Sequence, residues 1–372
     1  MTEAFIQLDI MIALQVVTLG FIGGVLSGFI GSGGAFFMTP GMMNLGVPGV
    51  VAVGSNITHK FGKAMMGSKK HGEMGNVDKK MGFFMLLTAM VGIRLAVWIS
   101  TVLFAGGGGD SHGASSSGAQ SAPANLYISV VFVSVLTLVA LSMLRDIIRS
   151  AQTEAAGPSR QISEFLNRLK LPPMIYFPAA DVKVSLWVVL IVGLATGYLA
   201  GTIGVGGFIG VPAMIYVFGM PTAVAAGTEL YLAVFMGAFG ALNYAYEGMV
   251  DLRLTLLLYL GSLIGVYIGA YGTKVVKEVV IRLVTSLIIL LCVVSRAIAI
   301  PVYLRQLNWV SLDPAWDAYF NGASKALLFV SGIAGAVVIL TAVVRAYVQR
   351  RGVHATLAFT RKPEAVQPVA AH

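Results

Sequence analysis

Residues 10–58 decide the fold class. They read IMIALQVVTLGFIGGVLSGFIGSGGAFFMTPGMMNLGVPGVVAVGSNIT and contain no Asp, Glu, Lys or Arg. Residues 185–228, which read SLWVVLIVGLATGYLAGTIGVGGFIGVPAMIYVFGMPTAVAAGT, lack these charged side chains as well. A helix needs about 20 apolar residues to cross a bilayer, so each stretch has room for more than one crossing. We therefore expect an all-α, multi-pass protein of the cell (inner) membrane.

The composition of the whole chain supports this class. Hydrophobic residues make up 57% of the 372 positions and charged residues only 11%. A water-soluble domain of this size has far more polar surface. The formal net charge is +9, and the basic residues cluster at 60–80, 145–183, 274–282 and 345–362, beside the apolar spans. Such placement is typical of cytoplasmic loops, and we expect no nucleic-acid partner.

Two parts of the sequence are related by a shift of 173 residues. With this shift Gly20–Asp78 aligns with Gly193–Asp251 without a gap, and many glycines, a proline and the final aspartate are identical. Shared membrane composition produces scattered Leu and Val matches, but it does not keep glycines in one register. The basic clusters put Asp78 on the cytoplasmic side and Asp251 on the outer side, so we interpret the halves as inverted repeats.

This interpretation predicts four regions and about 9–11 membrane segments. Residues 1–150 form the first transmembrane repeat, and residues 184–300 form the second. Residues 151–183 link them on the cytoplasmic side, either as a solvated linker or with a short interfacial helix at 162–169. Residues 301–372 supply an external loop, a C-terminal transmembrane helix and a cytoplasmic tail.

Each repeat is interrupted at a glycine-rich break. The sequence is Gly-Ser-Gly-Gly at 31–34 and Gly-Val-Gly-Gly at 204–207, and a short helical piece follows in each case. Unwound backbone is tolerated inside a membrane only where protein or a water-filled cavity satisfies it. Paired breaks therefore predict a binding site near the midplane, where the new helix N-termini offer N–H groups to an anion. Gly20, Gly24 and Gly28, spaced by four, are instead expected to allow close helix packing.

Polar and basic side chains follow the first break. Asn56, His59, Lys60 and Lys63 share one helical face, because they are spaced i, i+3, i+4 and i+7. Placing an ionisable side chain inside a membrane costs about 2.5–3.5 kcal/mol, so a functional role is the first hypothesis. The lysines could instead be cytoplasmic anchors. In the second repeat Glu229 takes the place of Asn56, either as a carrier of a proton or cation or as a helix N-cap.

The doubled motif resembles the TauE/SafE family of membrane permeases, also called the 4-toluenesulfonate uptake permease family. It occurs as GFIGSGG at 28–34, Pro40 and AVGSN at 52–56, and again as GTIGVGG at 201–207, Pro212 and AAGTE at 225–229. The resemblance implies transport of sulfur-containing anions such as sulfite or organosulfonates. This chain departs from the family in its richer basic stripe, its 106–124 loop and its extra C-terminal span.

The leading hypothesis is a secondary transporter of sulfite, thiosulfate, sulfate or an organosulfonate, working by alternating access and coupled to a proton or cation. An anion channel is an alternative, and so is an intramembrane hydrolase using Ser27 or Ser32 with His59. We expect no enzymatic activity, no metal and no cofactor, and a homodimer is one compatible assembly. The candidate substrate-binding residues are Ser32, Gly33, Gly34, Ser55, Asn56, His59, Lys60, Lys63, Gly206, Gly207 and Thr228, with Glu229 as the candidate coupling residue.

Overall fold

The structure, a computed structural model, describes residues 8–30, 34–106, 117–152, 171–204, 206–276 and 278–360. In these ranges it consists of eleven helices and one β-hairpin. The first five helices are α1 (Ile10–Ile30), α2 (Ala35–Asn44), α3 (Gly49–Glu73), α4 (Lys79–Gly106) and α5 (Ser117–Gln152). After strands β1 (Met174–Phe177) and β2 (Val182–Ser185) come α6 (Leu186–Ile203), α7 (Gly206–Tyr216), α8 (Thr222–Tyr246), α9 (Leu252–Val275), α10 (Glu278–Gln306) and α11 (Ala315–Thr360). The predicted helical membrane fold is confirmed.

Eight of the described helices are long and apolar enough to cross a membrane: α1, α4, α5, α6, α8, α9, α10 and α11. The other three are the short α2 and α7, with 10 and 11 residues, and α3. At 1.5 Å per residue the short helices span about half of the hydrocarbon core. Helix α3 is long enough, but its lysines and histidines make it too polar to qualify. The chain is therefore a multi-pass membrane protein.

Glycines bring two pairs of helices into backbone contact. Helices α1 and α9 lie side by side in the same direction, and a Cβ added at Gly24 would be 2.5 Å from the backbone oxygen of Ser262. Helices α4 and α6 pack in the same way, with Gly197 against the backbone of Ala89. The prediction that Gly20, Gly24 and Gly28 serve close packing is thus confirmed, because each of them meets the backbone of α9.

Helices α3 and α8 cross at the centre of the molecule in opposite directions. Gly54 lies against Tyr244, Phe61 against Gly237, and Gly67 against Leu230. The buried helix α2 supports this crossing, since every residue from Ala35 to Met43 is buried. Protein therefore surrounds the start of α2, as interrupted backbone in a membrane requires. The internal repeat itself stays a prediction from the sequence.

The hairpin β1–β2 was not predicted. Its strands pair in antiparallel fashion from Met174–Ser185 to Phe177–Val182, and Phe177 is fully buried. The carboxylate of Asp78 accepts hydrogen bonds from the turn, from the backbone N–H groups of Ala179 (3.1 Å) and Ala180 (3.2 Å). The hairpin is thus fixed to the loop between α3 and α4. The proposed interfacial helix at 162–169 and residues 107–116 of the predicted 106–124 loop lie outside the described residues. Residues 117–124, which were expected to belong to this loop, form the start of α5 instead.

Candidate functional site

A cavity of about 720 Å³ lies between α1, α3 and α9. Its polar wall is formed by Asn56, His59, Lys60 and Lys63, all on the same face of α3. The remaining lining is mostly apolar and consists of Ser27, Gly28, Ala35, Ala64, Met66, Gly67, Leu230, Leu263, Ile264, Val266, Tyr267 and Ile268. The cavity therefore extends from the middle of α3 towards its C-terminal half, with its polar groups at the deep end.

Asn56 connects the two helix breaks. Its Nδ2 donates to the carbonyl oxygen of Ala35 (3.1 Å), at the start of α2, and to Thr39 Oγ1 (2.8 Å). Thr39 in turn donates to the carbonyl oxygen of Ile203 (3.1 Å), at the end of α6. The next residue, Gly204, has a φ of 75° and passes close to both side chains. Both amide hydrogens of Asn56 are thus engaged, while its Oδ1 has no hydrogen-bond partner.

His59 is held by α9. Its Nε2 lies 2.7 Å from Ser262 Oγ, and its ring packs on that of Tyr259 with centroids 4.6 Å apart. The imidazole is fully buried, and Nδ1 has no partner. When Nε2 accepts the Ser262 hydroxyl hydrogen, Nδ1 carries a hydrogen that can be donated to a ligand. In the part of the chain that the structure describes, no carboxylate is hydrogen-bonded to the ring.

Lys60 and Glu229 bring the two halves of the chain together. Lys60 Nζ lies 3.9 Å from Glu229 Oε1, and the two side chains are 14% and 3% exposed. Neither carboxylate oxygen has a hydrogen-bond partner within the described ranges. Glu229 packs against Gly210 of α7, where the absence of a side chain makes room for it. Helix α8 begins at Thr222, about two turns earlier, so the alternative reading of Glu229 as an N-cap is wrong.

Lys63 lies one turn beyond Lys60 and also lines the cavity. No carboxylate lies within ion-pair distance of it in the part of the chain that the structure describes. Glu229 is placed to balance the charge of Lys60, whereas a protonated Lys63 has no carboxylate to balance it among the described residues. This electrostatic imbalance favours an anion in the cavity.

The glycine-rich breaks lie close to this wall but do not form it. Gly34 immediately precedes α2 and packs on the backbone of Gly23. Gly206 begins α7, and a Cβ there would be 3.5 Å from Lys60 Nζ. Gly34, Gly206 and the buried Gly207 are not among the described residues that line the cavity. Ser32 and Gly33 lie outside the described residues.

Ser55 and Thr228 face away from the cavity. Ser55 Oγ accepts a hydrogen bond from the backbone N–H of Asp251 (3.1 Å), and Thr228 Oγ1 accepts one from that of Asp78 (2.9 Å). Both hydroxyls are fully buried. Each bond joins the residue before Asn56 or Glu229 to the N-terminal end of a helix in the other half of the chain. As the structure stands, these two candidates hold helices together.

Several site residues were not predicted. Ser262 and Tyr259 on α9 position His59, and Thr39 on α2 positions Asn56. These three residues are polar side chains within apolar helices, and this was the signal in the sequence that could have identified them. Arg94, whose role the sequence left open, donates to Asn243 and Glu247 on an exposed surface away from the cavity.

Comparison with known proteins identifies relatives that share the part of the chain containing this site. The family model described as "Sulfite exporter TauE/SafE" matches residues 16–296, which include the cavity and both short helices. The chain is similar to the probable membrane transporter protein YdhB of Bacillus subtilis (strain 168), with 24% identity over 277 residues, 72% of this chain and 94% of that protein. It is also similar to the probable membrane transporter protein YjnA of the same organism, with 26% identity over 261 residues, 70% of this chain and 89% of that protein. No solved structure shows a significant match.

Proposed function

Because this chain belongs to the sulfite exporter TauE/SafE family and is a membrane transporter, we propose that it moves a small sulfur-containing anion through the cavity beside α3. Sulfite, thiosulfate, sulfate and organosulfonates are the candidate substrates. The transport cycle is alternating access, in which the site opens to one side of the membrane at a time. The coupling ion is a proton or a cation, carried by Glu229.

The observation that carries this proposal is the presence of two lysines on the cavity wall with a single carboxylate beside them among the described residues. Lys60 and Lys63 line a cavity between α3 and the membrane-spanning helices α1 and α9, and only Lys60 has a carboxylate partner among the described residues. An unpaired charge inside a membrane protein is costly and usually marks an ion or substrate pathway. An oxyanion would supply the missing charge and accept hydrogen bonds from both ammonium groups.

The neighbouring groups have distinct roles in the proposed site. His59 Nδ1 donates to a further oxygen of the anion, and its position is fixed by Ser262. Asn56 keeps the two breaks together and lines the same cavity. The N-terminal end of α7 at Gly206 lies behind Lys60, where its positive dipole end adds to the field that attracts an anion. Gly33, Gly34, Gly207 and Ser32 contribute through the same breaks, while Ser55 and Thr228 act through helix packing.

The shape of the cavity supports an inward-facing state. It extends along the C-terminal half of α3, towards Lys69 and Lys79, which the positive-inside rule assigns to the cytoplasm. Outside the cavity, tyrosine hydroxyl groups join neighbouring helices. Tyr244 donates to the carbonyl oxygen of Gly201 (2.6 Å), and the hydroxyl groups of Tyr127 and Tyr198 are hydrogen-bonded to each other.

Flux measurements on the purified protein in liposomes test this proposal. We expect saturable movement of at least one of sulfite, thiosulfate, sulfate and ethanesulfonate. Replacing Asn56 or His59 by alanine should reduce the flux by a few-fold to about tenfold, as expected for the loss of one or two neutral hydrogen bonds of about 0.5–1.5 kcal/mol each.

Asn243→Ala provides the matched control for Asn56→Ala. Asn243 also makes side-chain hydrogen bonds on a membrane helix, but it contacts Arg94 and Phe239 outside the cavity, and its loss should leave the flux unchanged. If none of the four anions moves and neither cavity variant differs from the parent protein, the proposal fails. A flux that follows voltage and does not saturate would instead indicate an anion channel.

A further inference from the structure

Lys60 stands between the cavity and Glu229. Its ammonium group lines the cavity and at the same time lies 3.9 Å from the Glu229 carboxylate. Glu229 is not among the described lining residues, and it is buried on the far side of Lys60 against α7. An anion in the cavity and the carboxylate of Glu229 would therefore approach the same ammonium group from opposite sides.

Among the described residues, Glu229 has no second partner. Both of its oxygens lack hydrogen bonds, and the adjacent Gly210 offers no side chain. The other titratable groups that face this region are His59 and Lys63 on the cavity wall, and His71, which lies against Gly227, two residues before Glu229. None of these three forms an ion pair with Glu229. A carboxylate in such a place depends on Lys60 for its charge balance.

We propose that the transported anion and Glu229 compete for Lys60, so that each anion that binds causes Glu229 to take up a proton. This inference rests on the proposed function and specifies its coupling. On binding, the Lys60 ammonium turns to the anion and its contact with Glu229 is broken. The unpaired carboxylate then accepts a proton from water in the cavity, because a buried charge without a partner is strongly disfavoured. No other bond is made or broken.

The consequence is obligatory co-transport of anion and proton. For a monovalent sulfonate the loaded site gains one negative charge and one positive charge, so its net charge does not change. Such a site can cross between inward-facing and outward-facing states without carrying charge through the membrane field. Linkage also requires the reverse effect, in which acidification strengthens anion binding by up to about tenfold for each pH unit.

Proton uptake on anion binding tests the inference directly. Purified protein in detergent and weak buffer is mixed with thiosulfate or with ethanesulfonate, which stay ionised near neutral pH, while a pH indicator and a calorimeter follow the reaction. We expect binding to make the solution more alkaline by one proton per bound anion. In Glu229→Gln, which cannot take up a proton, the uptake should disappear and the flux of monovalent ethanesulfonate in liposomes should become sensitive to membrane potential.

Glu247→Gln is the matched control. This carboxylate ends the same helix, pairs with the exposed Arg94 and lies away from the cavity, so the variant should behave like the parent protein. Proton uptake that persists in Glu229→Gln would assign the proton to another group such as His59 and overturn the inference. If Glu229→Gln does not fold, the pH dependence of anion binding to the parent protein tests the inference. An anion affinity that does not change with pH contradicts the competition for Lys60. Absence of any anion binding would defeat the proposed function itself, whereas binding without proton uptake defeats only this coupling.

Discussion

Replacing Lys63 by glutamine is expected to weaken anion binding by about 10- to 100-fold. A hydrogen bond to a charged group contributes about 1.5–3 kcal/mol, and each 1.4 kcal/mol corresponds to a factor of ten in affinity. Lys63 is the suitable lysine for this test, because no described carboxylate pairs with it. A change at Lys60 would also remove the partner of Glu229. Titration calorimetry with thiosulfate measures the effect.

Lys69→Gln is the control for this experiment. Lys69 lies on the same helix, is exposed and does not line the cavity. Both variants lose one positive charge, so a general electrostatic effect would weaken binding equally in the two proteins. If Lys63→Gln binds thiosulfate as well as Lys69→Gln does, the anion is not held by this part of the cavity wall.

Replacing Gly24 by leucine is expected to prevent the protein from folding correctly. Even a Cβ at this position would lie 2.5 Å from the backbone oxygen of Ser262 and 2.7 Å from its Cα. Backbone cannot rotate away as a side chain can, so α1 and α9 would have to separate. Overpacking of a tight core costs about 1–3 kcal/mol or more, and the close glycine contact would be lost as well. Size-exclusion profiles and thermal unfolding of the detergent-solubilised protein measure this loss.

Gly322→Leu serves as the comparison. Gly322 is also a helical glycine, in α11, but a Cβ there would meet no atom within 4 Å. Its replacement should leave the melting temperature and the elution profile nearly unchanged. Equal behaviour of the two variants would show that α1 and α9 are not packed through their backbones.

The membrane fold could be predicted from the sequence because its physical basis is local. Two long stretches without charged residues indicate that these segments lie in lipid. The helix break before α2 is visible in the four consecutive residues Gly-Ser-Gly-Gly at 31–34. The polar face from Asn56 to Lys63 follows from helical spacing alone. These features need no knowledge of what lies next to them in space.

The partners of the site residues could not be predicted in this way. His59 contacts Ser262, which lies 203 positions further along the chain, and nothing in the local pattern of either helix indicates the pairing. Ser55 and Thr228 looked like site residues because they precede Asn56 and Glu229, but their hydroxyls bond to Asp251 and Asp78. A shift of 173 residues relates Ser55 to Thr228 and Asp78 to Asp251. This relation was the signal in the sequence that could have indicated two equivalent contacts.

The hairpin between the two halves was missed for a different reason. Its strands are only four residues long, and the surrounding linker is rich in charge and proline. Its burial depends on Phe177 and on the contact of its turn with Asp78, which a pattern within the linker does not reveal.

A structure of the protein determined in the presence of thiosulfate tests the central claim most directly. We expect density for the anion in the cavity beside α3, within hydrogen-bond distance of the ammonium groups of Lys60 and Lys63 and of His59 Nδ1. Density for thiosulfate at a different place, with this cavity empty under conditions in which the anion is transported, would contradict the account.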